Sequence, residues 1–503
     1  MRYIFRFLSS RIFNLILLIT IQFILLFLLF FLISEFEVIP AIIIYIINTI
    51  VLLVVLNRKD DPSYRLLWTI VILLVPYVGG IIYLLFADKK APKSMSVINT
   101  LELVNNNILE HKDINIDNTL INKQIKYLEN HSHYPCYNNT LSKYYIDIND
   151  TLNDMLNDLE NAKSFIFMEY FIVDKGYMLN KVLDVLKRKV KDNVKVYFMY
   201  DDAGCITTLP LKFKKELEQH GINTIIFSPL KPRLEIHMNN RDHRKITVID
   251  NKIGYMGGFN LADEYINKIN KYGYWKDSGV RFEGEAVLNL TVMFIQFYNS
   301  LCKDKLDYND FKLSNNHIKD DSIVIPFSDS PTDKEDIGHN VHLNLINNAQ
   351  KYIYIQTPYL ILDYTLIQSL QMAAKNGVEV IIATPGIPDK KFVYELTKYN
   401  YLSLINDGIK IYEYTNGFLH SKTILVDDEL ALIGTINMDY RSYYLHYECG
   451  ALLTNKDTIK TIKEDFNNNI INISKLVHKE DCTNISLFKR IYRAILNVFS
   501  PLI

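Results

Sequence analysis

One pattern of residues occurs twice in this 503-residue chain, and any fold must accommodate both copies. Asn161-Ala162-Lys163 leads into the apolar run 165–168 and then Glu169-Tyr170. Asn348-Ala349-Gln350 leads into the run 352–355 and then Gln356-Thr357-Pro358-Tyr359. Both runs are short, β-branched and aromatic, and read as strands. A helical periodicity follows each, over 177–190 and 364–375, and then a further strand, 194–200 and 378–384. Strand–helix–strand units imply parallel pairing. The expected fold is therefore α/β, with two tandem lobes of mixed sheet flanked by helices, divided near Asp320.

Each lobe then reaches the same cassette. The first reads His243-Arg244-Lys245-Ile246-Thr247-Val248-Ile249-Asp250, followed by Gly257-Gly258-Phe259-Asn260. The second reads His420-Ser421-Lys422-Thr423-Ile424-Leu425-Val426-Asp427, followed by Gly434-Thr435-Ile436-Asn437. The asparagine stands at the same distance beyond the histidine in both. Along an extended chain, residues i and i+2 share a face, so His243 pairs with Lys245 and His420 with Lys422. An imidazole beside an ammonium suits attack on a phosphodiester. The imidazole serves as nucleophile or proton carrier near neutral pH, and the lysine offsets charge on the phosphoryl oxygens. Gly-x-x-Asn permits close backbone approach and adds an amide donor, which makes Asn260 and Asn437 candidate phosphate-binding residues. Asp250 and Asp427 complete the cassettes; hydrogen bonds that fix the cassette loops suit them. One cassette alone could be chance; two, at matching places in a repeat, are not.

Composition narrows the partners. There are 55 basic and 56 acidic residues, a formal net charge of −1. Nucleic-acid binding draws on a basic surface, so the balance argues against a nuclease. The five cysteines include no Cys-x-x-Cys pair and read as free thiols rather than disulfides or a zinc site. Three uncharged apolar runs crowd the N-terminus, at 12–33, 38–56 and 66–86. Each has about 20 residues, enough at 1.5 Å per residue for a hydrocarbon core of ~30 Å. They are expected to be transmembrane, with Pro76, Gly79 and Gly80 bending the third or making it re-entrant. Arg2, Arg6 and Arg11 before the first run, and Arg58, Lys59 and Arg65 before the third, favour a cytoplasmic catalytic domain; Lys89, Lys90 and Lys93 after the third also ask to be inside, which three full spans cannot satisfy. The expected organisation is a membrane anchor over 1–90, a connector over 91–140, a first lobe over 141–320 and a second over 321–503. The last includes a C-terminal amphipathic helix, 487–499, with Lys489, Arg490 and Arg493 beside Ile491, Ile495 and Val498. That helix suits either an anionic lipid surface or docking on the second lobe.

With these residues in place, the sequence resembles the phospholipase D superfamily and, within it, the bacterial cardiolipin synthases. The likeness rests on the two cassettes, on Asp61-Pro62-Ser63-Tyr64 with Trp68 and Tyr83, on Asp263-Glu264-Tyr265, and on Asn437-Met438-Asp439-Tyr440-Arg441-Ser442. Gly258 and Thr435 depart from it, standing where serine is common. The resemblance implies two phospholipase D-like lobes and a membrane lipid substrate, with no cofactor and no metal. The implied reaction joins two phosphatidylglycerols into cardiolipin and glycerol through a phosphatidyl-histidine on His243, with His420 as the acid. Phospholipase D or phosphatidylserine synthase activity uses the same chemistry with another acceptor. A histidine attacking phosphorus needs its other ring nitrogen held. The matching positions Asp277 and Glu448 are the candidates, with Asp277 expected on His243 and Glu448 on His420. The alternative for each is an ordinary surface carboxylate.

Overall fold

The computed structural model describes residues 38–502, except 59–60, 76–77, 88–102, 105–107, 112–113, 115–117, 231–238, 313–317 and 333–334, together with isolated positions before 38. Nearly all of the expected first membrane run, most of the connector's start, Pro76 and the lysines at 89, 90 and 93 thus lie outside the described residues.

Two sheets form the body. The first contains β1 (Thr140–Tyr145), β2 (Phe165–Tyr170), β3 (Lys195–Asp201), β4 (Asn223–Phe227), β5 (Ile246–Ile249), β6 (Ile253–Gly257) and β8 (Gly279–Gly284), in the order β1-β8-β6-β5-β2-β3-β4; β7 (Tyr274–Lys276) stands apart from it. The second contains β9 (Val324–Asp329), β10 (Tyr352–Gln356), β11 (Glu379–Pro385), β12 (Lys410–Tyr414), β14 (Thr423–Val426), β15 (Leu430–Gly434), β16 (Glu448–Leu453) and β17 (Ser474–Leu476). Its order is β17-β12-β11-β10-β14-β15-β16-β9, with β13 (Gly417–Leu419) outside it. The strand order β8-β6-β5-β2-β3-β4 recurs as β16-β15-β14-β10-β11-β12. The repeat in the sequence is thus a repeat in topology. Pairing is parallel for β2–β3 and β10–β11, as the strand–helix–strand pattern requires, and antiparallel where each cassette strand joins, β2–β5 and β10–β14.

The lobes are not independent bodies. One apolar cluster includes Phe167 and Val280 of the first sheet and Ile355 and Leu432 of the second. The helix Val287–Leu301 buries residues on every side, the pattern of a core helix. A second exchange fixes their orientation. Strand β13 pairs in parallel with β7, placing Phe418 opposite Trp275 and Leu419 opposite Lys276. The counterpart is the parallel bridge Asp242–Tyr447. In each case the residues before one lobe's histidine pair with the residues before the other lobe's carboxylate.

At the N-terminal end the helices Val38–Asn57, Pro62–Leu74 and Gly79–Phe86 pack around Tyr64, Trp68, Ile72 and Tyr83. Asp61 caps the second helix, accepting from the amides of Ser63 and Tyr64. Asn48 accepts from the Gly80 amide at 2.9 Å, an approach that a β-carbon at Gly80 would obstruct. Among the described residues no helix is long and apolar enough to cross a membrane. The surface is nonetheless apolar: Ile42, Ile43, Ile46, Ile50, Leu53 and Val54 are each about half exposed or more.

The C-terminal helix Leu487–Val498 resolves the two uses open to it in an unexpected way. Its basic side faces the protein: Arg493 is buried and bonds Glu395 at 2.7 Å, and Lys489 reaches the same carboxylate at 3.1 Å. Its apolar side faces outward, with Leu487 72% and Phe488 80% exposed beside Ile491 and Ile495.

Candidate active site

The two cassettes converge on one cavity of about 740 Å³, lined by His243 and Asn260 from the first and His420 and Asn437 from the second. Both histidines are buried, as are Lys245 and Lys422. Local chain geometry sets each His–Lys pair. The Lys245 amine donates to the His243 carbonyl and the Lys422 amine to the His420 carbonyl, which holds each ammonium beside its imidazole.

The orienting carboxylates cross between lobes, contrary to the pairing expected from the repeat. Glu448 meets His243 Nδ1 with both oxygens, at 3.0 and 2.9 Å. Asp277 meets His420 Nδ1 at 2.6 Å. The strand exchange is the reason: the His243 amide donates to the Tyr447 carbonyl and the His420 amide to the Lys276 carbonyl, so the next residue along, Glu448 or Asp277, falls at the other lobe's imidazole. Since a carboxylate only accepts, Nδ1 carries the hydrogen in both rings and Nε2 keeps its lone pair.

Aromatic rings crowd both histidines. Phe171 stands edge-on to His243, and Trp275, Tyr265 and Phe418 surround His420. Burial, reinforced by Lys245 and Lys422, holds His243 well below the usual imidazole range. Burial, then Lys422, lowers His420 to about 4. Burial likewise lowers Lys245 to about 8 and Lys422 to about 7. Burial pushes Asp277 upward, but the His420 ring, Lys422 and the Ser278 amide together outweigh it and the net displacement is down. The carboxylates at the two rings are spent on Nδ1, and an anionic phosphoryl group placed between the Nε2 atoms would favour their protonated forms.

Asp250 and Asp427, grouped with the catalytic set in the cassettes, stand elsewhere. Each lies at the far end of its cassette strand, roughly 15 Å of extended chain from the lysine. Asp250 accepts from the amides of Lys163, Ser164 and Phe165, and Asp427 from those of Gln350, Lys351 and Tyr352. Their carboxylates tie each cassette to the Asn-Ala motif that opens the repeat. Neither reaches the cavity. Asn260 is partly committed, accepting from the Ile172 amide at 2.8 Å and donating to Tyr265 at 2.6 Å; Asn437 leaves its carbonyl oxygen without a partner. Arg244 is buried against Glu169 at 2.6 Å, and Arg241 lines the cavity while bonding the Ser228 carbonyl at 3.0 Å.

The two departures from the family pattern turn out to be coupled to the carboxylates. A β-carbon on Gly258 would lie 2.1 Å from Asp277 Oδ1, so only glycine admits that side chain. Thr435 donates its hydroxyl to Glu448. His446, Asp439 and Arg441 also line the cavity; sequence reasoning named Asp439 and Arg441 only within the family likeness and assigned none of the three to the site. The repeat held a signal for His446, since it matches Trp275. One group of three potential metal ligands occurs among the described residues, His243, His446 and Glu448, with ligand atoms within 4.8 Å of one another. Glu448 is already committed to His243 and Thr435, which makes it a poor ligand.

Comparison with known proteins agrees with this geometry. The family model described as "Cardiolipin synthase, PLD-like domain" matches residues 155–273 and 342–470, one match per lobe. The model described as "Phospholipase_D-nuclease N-terminal" matches 46–87. A cardiolipin synthase of Staphylococcus aureus is 34% identical over 458 residues, covering 87% of this chain and 90% of its own length. Cardiolipin synthase 2 of Staphylococcus epidermidis is 34% identical over 461 residues, covering 87% and 92%. An uncharacterized protein of Streptococcus mutans is 45% identical over 342 residues, covering 68% and 74%. Among solved structures, phosphatidylserine synthase of Haemophilus influenzae shares the fold with a TM-score of 0.58 at 16% identity, over 76% of this chain and 98% of that one. With paired cassettes in one cavity and relatives matched over most of both chains, this chain belongs to the cardiolipin synthase family of the phospholipase D superfamily.

Proposed function

We propose that the protein joins two phosphatidylglycerol molecules into cardiolipin and releases glycerol. The observation that carries this reading is the pair of buried imidazoles, each with Nδ1 held by a carboxylate and both facing one cavity. His243 Nε2 attacks phosphorus, the bond to the headgroup oxygen breaks, and its electron pair leaves with glycerol, which takes a proton from His420. His420 enters this step protonated: the bound phosphodiester supplies the negative charge that raises its proton affinity. The phosphatidyl group then rests on His243. The glycerol hydroxyl of a second phosphatidylglycerol gives its proton to His420 and displaces His243. Lys245, Lys422, Asn260 and Asn437 hold the phosphoryl oxygens through both steps.

The lipid reaches the cavity from a membrane. The exposed apolar side of the helix Leu487–Val498 and the apolar N-terminal helices form its contact. These parts adjoin the site: Tyr440 donates to Ser63 at 3.1 Å, Arg441 bonds the Leu502 carbonyl at 3.2 Å, and Leu502 lines the cavity. In this reading the protein is a cell-membrane enzyme, multi-pass through the apolar runs of its N-terminal sequence, with the two lobes on the cytoplasmic side as the basic residues flanking those runs favour. The anchor extends to about residue 90, the connector to 140, and the lobes divide near 320.

Lipid analysis of purified enzyme given phosphatidylglycerol alone tests the reaction. Cardiolipin and glycerol should form in equal amounts. Phosphatidic acid as the main product would make it a hydrolase, and a serine-containing lipid formed on adding serine would make the acceptor different.

A further inference from the structure

The two half-sites are related by the repeat, yet they differ at one position. Trp275-Lys276-Asp277 in the first lobe matches His446-Tyr447-Glu448 in the second. Trp275 packs on His420, ring centroids 5.1 Å apart, and turns its only donor, Nε1–H, towards Asp277 at 3.4 Å. His446 packs on His243, centroids 5.5 Å apart, but neither of its ring nitrogens has a hydrogen-bond partner. Glu448 Oε1 stands 3.8 Å from its Nδ1, beyond hydrogen-bond reach. A buried side chain with two unused polar atoms is costly unless a ligand uses them. His446 lines the cavity that holds both reactive histidines.

We propose that His446 is a further phosphoryl-binding donor, presenting a ring N–H to a non-bridging oxygen of the group transferred to His243. This deepens the proposed reaction and rests on it for the direction of transfer. In an in-line displacement the nucleophile and the leaving oxygen occupy opposite ends, and the non-bridging oxygens lie to the side. A ring beside His243 is placed for that side position. Burial lowers His446 to about 4, so at neutral pH the ring is uncharged. It donates without adding positive charge next to His243, which would weaken the nucleophile. No such donor exists at Trp275, whose N–H is turned to Asp277. The surplus donor on one side favours the covalent adduct on His243 over His420, an inequality that two identical His–Lys cassettes cannot supply.

The test compares His446→Phe with His446→Gln on vesicles of phosphatidylglycerol and phosphatidylcholine, reading glycerol release. Losing one donor to developing charge costs ~10²-fold or more in turnover. His446→Phe should lose about 10²-fold in kcat with KM changed less than about threefold, and His446→Gln, which keeps an N–H, should recover to within about tenfold of the parent. If His446→Phe does not fold, as judged by its thermal midpoint, His446→Leu, which likewise carries no donor, should show the same loss. Wild-type kcat in the Phe or Leu variant, or a Gln variant no better than the donor-less one, overturns the proposal. Glycerol is released whether the acceptor is a second lipid or water. A wrong acceptor therefore appears in the lipid products, while a wrong role for His446 appears in the rate.

Discussion

Replacing Glu448 with glutamine separates a cross-lobe arrangement of the active site from a within-lobe one. The amide is nearly the same shape and keeps an oxygen for His243 Nδ1–H, so the ring stays in place. What is lost is the charge that stabilises the imidazole as it becomes positive on bonding phosphorus. A hydrogen bond to a charged group contributes about 1.5–3 kcal/mol, which at 1.36 kcal/mol per decade is roughly 10- to 150-fold in rate. Asp277→Asn should cost a similar factor, but through His420. The two losses differ in kind, and the leaving group tells them apart. With a phosphatidyl ester of p-nitrophenol, departure needs little protonation, so a weakened acid matters less. Single-turnover release of p-nitrophenol should therefore recover most of the Asp277→Asn deficit and leave the Glu448→Gln deficit standing. The opposite pattern would refute the exchange, or would reverse the roles of the two histidines; the phosphatidyl adduct, located by mass on the His243 or the His420 peptide, decides which.

Other outcomes follow from the same structure. Asp250→Ala and Asp427→Ala each leave three backbone amides without an acceptor, and should lower unfolding free energy by about 1–3 kcal/mol while the folded fraction keeps kcat within about threefold; denaturant unfolding read beside activity checks this. His420 sits at about 4 in the fold against about 6.5 unfolded. Between those values the unfolded chain binds more protons, so stability is full above about 6.5 and falls as pH drops towards 4, and His420→Asn should flatten the slope of unfolding midpoint against pH. The carboxylates nearest the reactive rings are spent on imidazoles, so turnover should survive chelation; a requirement for added Mg²⁺ would contradict the mechanism. Phe488→Glu with Ile491→Glu should weaken sedimentation with phosphatidylglycerol vesicles while leaving turnover of detergent-dispersed lipid within about threefold.

How much of this could be read from sequence depends on distance along the chain. The cassettes were legible because strand periodicity puts His243 beside Lys245, and His420 beside Lys422, without reference to anything remote. The two sheets were legible because the repeat marks β2, β3, β10 and β11 by composition alone. The ownership of the carboxylates was not, because it is set by two interlobe contacts, β13 on β7 and Asp242 on Tyr447, that link segments remote in sequence. Matching positions in a repeat say that Asp277 and Glu448 do the same work, not for which histidine. The reason for glycine at 258 was not legible either, because the constraint on it, Asp277 Oδ1, lies almost twenty residues further along the chain. Asp250 and Asp427 shared a motif with catalytic groups yet do structural work, since the strand between them and the lysine carries them to its opposite end. The C-terminal helix shows why amphipathicity alone cannot assign a face: Glu395 draws Arg493 inward and leaves the apolar side outside.

The reciprocal loan of carboxylates has a consequence for descent. A duplicated domain ordinarily frees one copy to decay or to acquire another task. Here neither copy can: a lesson learned by one half, whether a lost acid or a shifted strand, is felt at the histidine of the other. The halves can change only as a couple, and an ancestor made of two separate single-lobed chains would have been silent until they met. The same interdependence should let two chains, one damaged in each half, restore function when their lobes are expressed apart and allowed to pair.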